Sequence, residues 1–183
     1  MTTASALLDA LAFASRKHRD QRRKDAEGSP YINHPIAVAH VLAVEGGVTD
    51  VQVLAAAILH DTVEDTETTF GELEERFGST VAELVRELSD DKSLPKEERK
   101  RLQVLYAAAA SPGAKQIKLG DKICNVRDIT DTPPADWSLA RRLEYLDWAA
   151  QVVDACRGTN SRLESVFDET VARARNVLRY GAT

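Results

Sequence analysis

Apolar positions recur at three- and four-residue spacing in almost every segment of the chain, the period of helices that bury one face. Leu7, Leu8 and Leu11 open a first amphipathic helix that runs to about His18. A polar loop, Asp20 to Asn33, carries Gly28 and Pro30, and Pro35 then suits the first turn of a second helix that stops at Gly46–Gly47. Thr49 or Asp50 can cap a third helix, which is apolar nearly all round through Val53–Leu59 and ends at His60, so it belongs in the core. Thr69 starts a short helix ending at Gly78, and Ser79 or Thr80 caps the next, to about Asp90. Pro95 opens another that ends before Ser111, and a long helix follows Pro112–Gly113 to about Thr130. Beyond Pro133–Pro134, Ser138 caps a helix with the stripe Leu139, Leu143, Leu146, Ala150 and Val153, and Asn160 or Ser161 caps a last one ending near Tyr180. No alternating strand pattern, hairpin signal or repeat interrupts this. The pattern predicts an all-α fold of about nine helices in one compact bundle, residues 1–183 forming a single domain.

Composition narrows the function classes. With 183 residues, 43 % hydrophobic and 29 % charged, the chain can bury one core, and it is neither disordered nor a disulfide scaffold. Its formal net charge of −5 argues against nucleic acid or a membrane surface as partner. No apolar run approaches the roughly 20 residues that span a bilayer, and the N-terminal stretch lacks the basic start of a signal peptide. Cys124 and Cys156 lack metal-type spacing and read as reduced, packed thiols. A cytoplasmic protein is expected.

The chemistry concentrates where the apolar third helix runs into His60-Asp61-Thr62-Val63-Glu64-Asp65-Thr66, at the start of an acidic stretch, Asp61 to Glu75, with seven carboxylates and no base. If helical geometry continues, Glu64 and Asp65 share a cavity with His60 and Asp61. His34 stands fixed at a helix start, and on the long helix Lys118, Asp121, Asn125 and Asp128 form a polar stripe beside the buried Leu119, Ile123 and Val126. His34, His60, Asp61 and Asp121 together make a mixed nitrogen–oxygen set suited to a divalent ion such as Mn²⁺, less so Fe²⁺ or Zn²⁺. Glu64 and Asp65 would then orient a water and handle its proton. Arg22-Arg23-Lys24, in the loop before His34, offers phosphate-binding cations. Arg141 and Tyr145, four residues apart, could clamp a phosphate and stack a base.

Four segments, in order, carry a resemblance: Gln21 to Pro35 (QRRKDAEGSPYINHP), Ala57 to Thr66 (AILHDTVEDT), Asp90 to Pro95 (DDKSLP) and Lys118 to Asn125 (KLGDKICN). They resemble the hydrolase half of the RelA/SpoT homologue family, within the HD-domain phosphohydrolases, and most of all its stand-alone small alarmone hydrolases. The resemblance implies removal of the 3′-diphosphate from guanosine tetra- or pentaphosphate, (p)ppGpp, giving GDP or GTP plus pyrophosphate with Mn²⁺. It implies metal ligands His34, His60, Asp61 and Asp121, water-handling acids Glu64 and Asp65, and substrate contacts at Arg23, Lys24, Asn125, Arg141 and Tyr145, with Arg22, Tyr31 and Lys92 weaker. The partner expected is a small phosphorylated guanine nucleotide, met by a monomer or homodimer. Gly120 departs from the usual Ala before the metal aspartate. Three rival readings remain open: removal of the 2′-phosphate of NADPH, another HD-type nucleotidase activity, and a regulator that binds the alarmone without cleaving it.

Overall fold

The computed structural model describes residues 2–181. All nine expected helices are present in it, and among the described residues there is no strand, only an isolated antiparallel bridge between Arg22 and Pro30. The helices are α1 (Thr3–Lys17), α2 (Asn33–His40), α3 (Val51–Leu59), α4 (Thr62–Asp65), α5 (Phe70–Phe77), α6 (Ser79–Leu88), α7 (Lys96–Ala109), α8 (Pro112–Asp131), α9 (Leu139–Asp154) and α10 (Ser161–Tyr180). The tenth segment, α4, is a single turn following directly on α3.

Caps fall largely where the side chains can supply them. Asp50 accepts from the amides of Gln52 and Val53, Ser111 from Ala114, Ser138 from Arg141 and Asn160 from Arg162 and Leu163, each satisfying helix-start donors that would otherwise lack a partner. Neither Ser79 nor Thr80 caps α6. Gly78 takes that place at φ +90, because the chain reverses there between α5 and α6 in a backbone region that favours glycine.

The apolar α3 is the centre of the bundle, with seven consecutive buried residues from Val53 to Leu59. It packs against α1, α2, α6 and α8, while α8 also packs against α9 and α10. Both cysteines are buried and unpaired, as expected. α2 does not end at His40 but continues as a π-helical turn, Val41–Glu45, which delivers Gly46 against α10. A Cβ on Gly46 would lie 2.7 Å from Leu163 Cδ2 and 2.8 Å from the Leu42 carbonyl oxygen. Gly46→Ala is therefore expected to lower unfolding stability by about 1–3 kcal/mol; a denaturant titration reads this, and an unchanged midpoint would refute the close packing. Gly120 sits similarly where α8 meets α2: a Cβ there would lie 3.1–3.4 Å from side-chain carbons of Leu42 and Val38.

Candidate metal centre

Three segments from distant parts of the chain deliver four donors to one place. His34 lies in the first turn of α2 and is buried. His60 terminates α3, where its Nδ1–H donates to the Ala57 carbonyl at 2.8 Å and leaves Nε2 facing inward. Asp61 begins the turn of α4, and Asp121 stands midway along α8. His34, His60 and Asp121 each contribute one donor atom within 4.8 Å of the other two. Asp61 Oδ2 adjoins both imidazoles, 3.2 Å from His60 Nε2 and 3.9 Å from His34 Nε2. His60 Nε2 is buried with no hydrogen-bond partner among the described residues, an expense that a cation would remove. Two imidazoles and two carboxylates are a donor set that fits a divalent cation.

A second layer of bonds fixes these donors. Tyr31 Oη donates to Asp61 Oδ2 at 2.6 Å. Lys122 Nζ donates to Asp121 Oδ2 at 2.8 Å, and Asn125 Nδ2 to Asp121 Oδ1 at 2.6 Å. His34 Nε2 lies 3.0 Å from that same Oδ1. Such partners hold ligand orientation and basicity.

With no cation bound, the cluster behaves as mutually compensating charges. Burial opposes the His60 imidazolium, but the Asp61 and Asp121 carboxylates outweigh it and raise the pKa from 6.5 to about 9. Burial likewise opposes ionisation of the two aspartates. The imidazoles beside Asp61, and Lys122 with the imidazoles beside Asp121, win and hold both below the usual carboxylate range. Ligation needs a neutral imidazole, so a cation must displace the His60 proton. Its apparent affinity should rise with pH until about 9, by up to roughly tenfold per unit for one proton released. Stability without the cation runs the other way. The contribution from His60 is complete below 6.5 and is lost as pH rises through about 9. Cation titrations and melts of chelator-treated protein across that interval check both signs; a pH-independent affinity would refute the protonated His60.

The expected acids separate slightly. Glu64 lines a cavity of about 150 Å³ together with His60, Asp61 and Asp121. Burial raises its pKa above 4.5, and the nearby Asp61 adds to this against the bond from the Asp90 amide. Asp65 does not share that cavity. The helix stops at Leu59 and restarts after Asp61, and Gln21 Nε2 (3.0 Å) and Lys92 Nζ draw the Asp65 carboxylate to a larger adjoining cavity of about 590 Å³. Arg23, Tyr31, His34 and Asn125 line both cavities, so the two adjoin along these four side chains.

The basic loop is shaped rather than loose. Asp25 Oδ1 accepts from the amides of Glu27 and Ser29, and the Arg23 amide donates to the Ser29 carbonyl at 2.8 Å. Arg23 reaches into the site, donating to Asp128 at 2.5 Å and to Asn125 Oδ1 at 3.4 Å. Lys24 lines the larger cavity beside Tyr145 and also a second groove, of about 720 Å³, which Arg141 lines too. Arg141 stacks over Trp137 at 4.3 Å from the ring, while Tyr145 packs edge-on to Trp148 at 5.2 Å. Periodicity did not single out Trp137, Gln21 or Lys122; Trp137 had a signal, an aromatic between a proline pair and a helix cap.

The HD-domain family (HD_4) matches residues 10–149. The chain belongs to this family of metal-dependent hydrolases. Within it, the chain is 60 % identical over 164 residues to the guanosine-3′,5′-bis(diphosphate) 3′-pyrophosphohydrolase MESH1 of Homo sapiens, spanning 90 % of this chain and 92 % of that one. It is 51 % identical over 171 residues to the MESH1 of Drosophila melanogaster, 93 % of this chain and 95 % of that one. The fold also matches a solved metazoan SpoT orthologue described as hydrolysing ppGpp, with a TM-score of 0.89, 48 % identity and 97 % of each chain covered.

Proposed function

We propose that this chain is a guanosine-3′,5′-bis(diphosphate) 3′-pyrophosphohydrolase that converts (p)ppGpp to GDP or GTP and pyrophosphate, with Mn²⁺ held by His34, His60, Asp61 and Asp121. The observation that carries this reading is the buried donor set adjoining a cavity lined by Arg23, Lys24 and Asn125, in a chain 60 % identical to a relative with that named activity. A divalent ion held by these four residues would supply Lewis acidity toward a phosphoryl oxygen and toward the attacking water.

The chain's own residues do the rest. Glu64, half-buried with a raised pKa, accepts the proton of the attacking water. Asp65, pinned by Gln21 and Lys92, orients that water. The P–O3′ bond breaks, O3′ takes up the proton that Glu64 releases and stays on the ribose as a hydroxyl, and the diphosphate leaves with the water's oxygen. Arg23 and Asn125, bonded to each other beside Asp121, meet the ribose-proximal phosphate. Tyr145 offers a ring to the base within the larger cavity, and Lys24 and Arg141 face the 5′-phosphates along the adjoining groove. The enzyme so proposed is a single domain that works in the cytoplasm, without nucleic-acid or membrane partners. The net charge of −5 supports this, and no described helix is long and apolar enough to cross a membrane.

Incubation of ppGpp with the Mn²⁺-loaded protein should release GDP and pyrophosphate in equal amounts. Release of orthophosphate, or a higher kcat/KM on the 2′-phosphate of NADPH, would overturn the assignment.

A further inference from the structure

The cavity that carries the metal donors has an end that the larger cavity does not share. Leu88 and Lys118 line the small cavity and neither of the two large ones. Lys118 precedes Asp121 by one turn of α8 and Lys122 by four residues, so the two lysines stand on one face of the helix. They differ in what they touch. Lys122 is committed: it donates to Asp121 Oδ2 at 2.8 Å and lies over Trp148 at 4.6 Å. Lys118 is only 7 % exposed, yet among the described residues it has no hydrogen-bond or ion-pair partner. A buried lysine without a counter-ion is costly, and such groups are retained where a ligand supplies the charge. Burial and the neighbouring Lys122 ammonium both push its pKa down from 10.5, and an anion at the amine would favour the ammonium.

The substrate proposed above has two phosphoryl groups on O3′. The one bonded to the ribose must lie at the four metal donors, where Arg23 and Asn125 connect to the nucleoside cavity. The terminal one must extend past the donors, away from that cavity. We propose that Lys118 is the specificity residue for this terminal phosphoryl group. It binds the distal phosphate of a 3′-diphosphate and makes the site favour a diphosphate over a monophosphate ester. This rests on the 3′-diphosphate reading of the same site.

Three proteins test it: the parent, Lys118→Met, which keeps length and burial without the charge, and Lys118→Arg, which keeps the charge. On ppGpp, Lys118→Met should lose about 10- to 100-fold in kcat/KM, the scale of one charged hydrogen bond. On the analogue with a single 3′-phosphate the loss should be under about threefold, and Lys118→Arg should recover most of the loss on ppGpp. Independently of turnover, calorimetry on the Mn²⁺-loaded proteins should find that the parent prefers inorganic pyrophosphate to orthophosphate and that Lys118→Met does not. Equal losses on both nucleotides, or an unchanged pyrophosphate preference, would overturn the role of Lys118. Failure of the parent to cleave ppGpp while its pyrophosphate preference survives Lys118→Arg and not Lys118→Met would reject the substrate and uphold the lysine.

Discussion

Asp61→Ala should leave a folded protein that retains no Mn²⁺ after dialysis and releases no measurable pyrophosphate from ppGpp. Like Asp121 Oδ1, Asp61 Oδ2 lies within 3.9 Å of both imidazole Nε2 atoms, and it accepts a 2.6 Å hydrogen bond from Tyr31. Its removal takes away a donor and one of the two charges that neutralise a divalent ion. It also leaves the Tyr31 hydroxyl buried without an acceptor. The rate should fall well beyond the roughly 10- to 100-fold that losing an outer partner costs a metal site. Metal content by elemental analysis and product chromatography read the two effects together. Full-rate hydrolysis by Asp61→Ala, or by chelator-treated parent protein, would refute the metal centre.

Glu64→Gln and Asp65→Asn should separate what Asp61→Ala removes together. Neither side chain belongs to the donor set, so Mn²⁺ binding should persist within a few-fold. Turnover should fall by about 10²- to 10⁴-fold, the span of a lost general base. The two should differ in pH dependence. Burial raises the Glu64 pKa above 4.5, so its base form is lost at a higher pH than for an ordinary glutamate, and the acid limb of the parent profile should report it. That limb should vanish in Glu64→Gln. Asp65→Asn keeps the shape of the carboxylate held by Gln21 and Lys92 but removes its charge. It should therefore lower kcat while preserving the limb. Normal turnover by both variants, with Mn²⁺ bound, would exclude these acids from the reaction.

The elements were legible because single residues carried the signals. Asp50, Ser138 and Asn160 are side-chain caps in the fold as their sequence contexts suggest. The unbroken apolar run Val53–Leu59 could only be a helix with no solvent face. Two local features were not legible, because each depends on a tertiary neighbour. The π-helical turn at Val41–Glu45 is set by the approach of Gly46 to Leu163, and the start of α6 by the reversal at Gly78. At the site, His34, His60, Asp61 and Asp121 were readable as types and spacing, but their distances were not. Asp65 faces a different cavity from Glu64, since the chain turns between His60 and Asp61 where helical extrapolation runs on. Arg141 finds its aromatic partner in Trp137, whose ring lies 4.3 Å away, and not in the Tyr145 that its own helix suggested.

Because Val53–Leu59 of α3 are buried throughout, His60 is held in register by the packing of Ala55, Ala56 and Ala57 together with its Nδ1–H bond to the Ala57 carbonyl. The proposed metal donors would therefore act as a clasp on three segments that a relaxed core would let drift apart: the start of α2, the end of α3 and the middle of α8. Tightness of the cation is then a gauge of the interior. A core substitution far from the cavity, even one that leaves the bundle folded, would register first as a cation held more loosely, before it registered as unfolding.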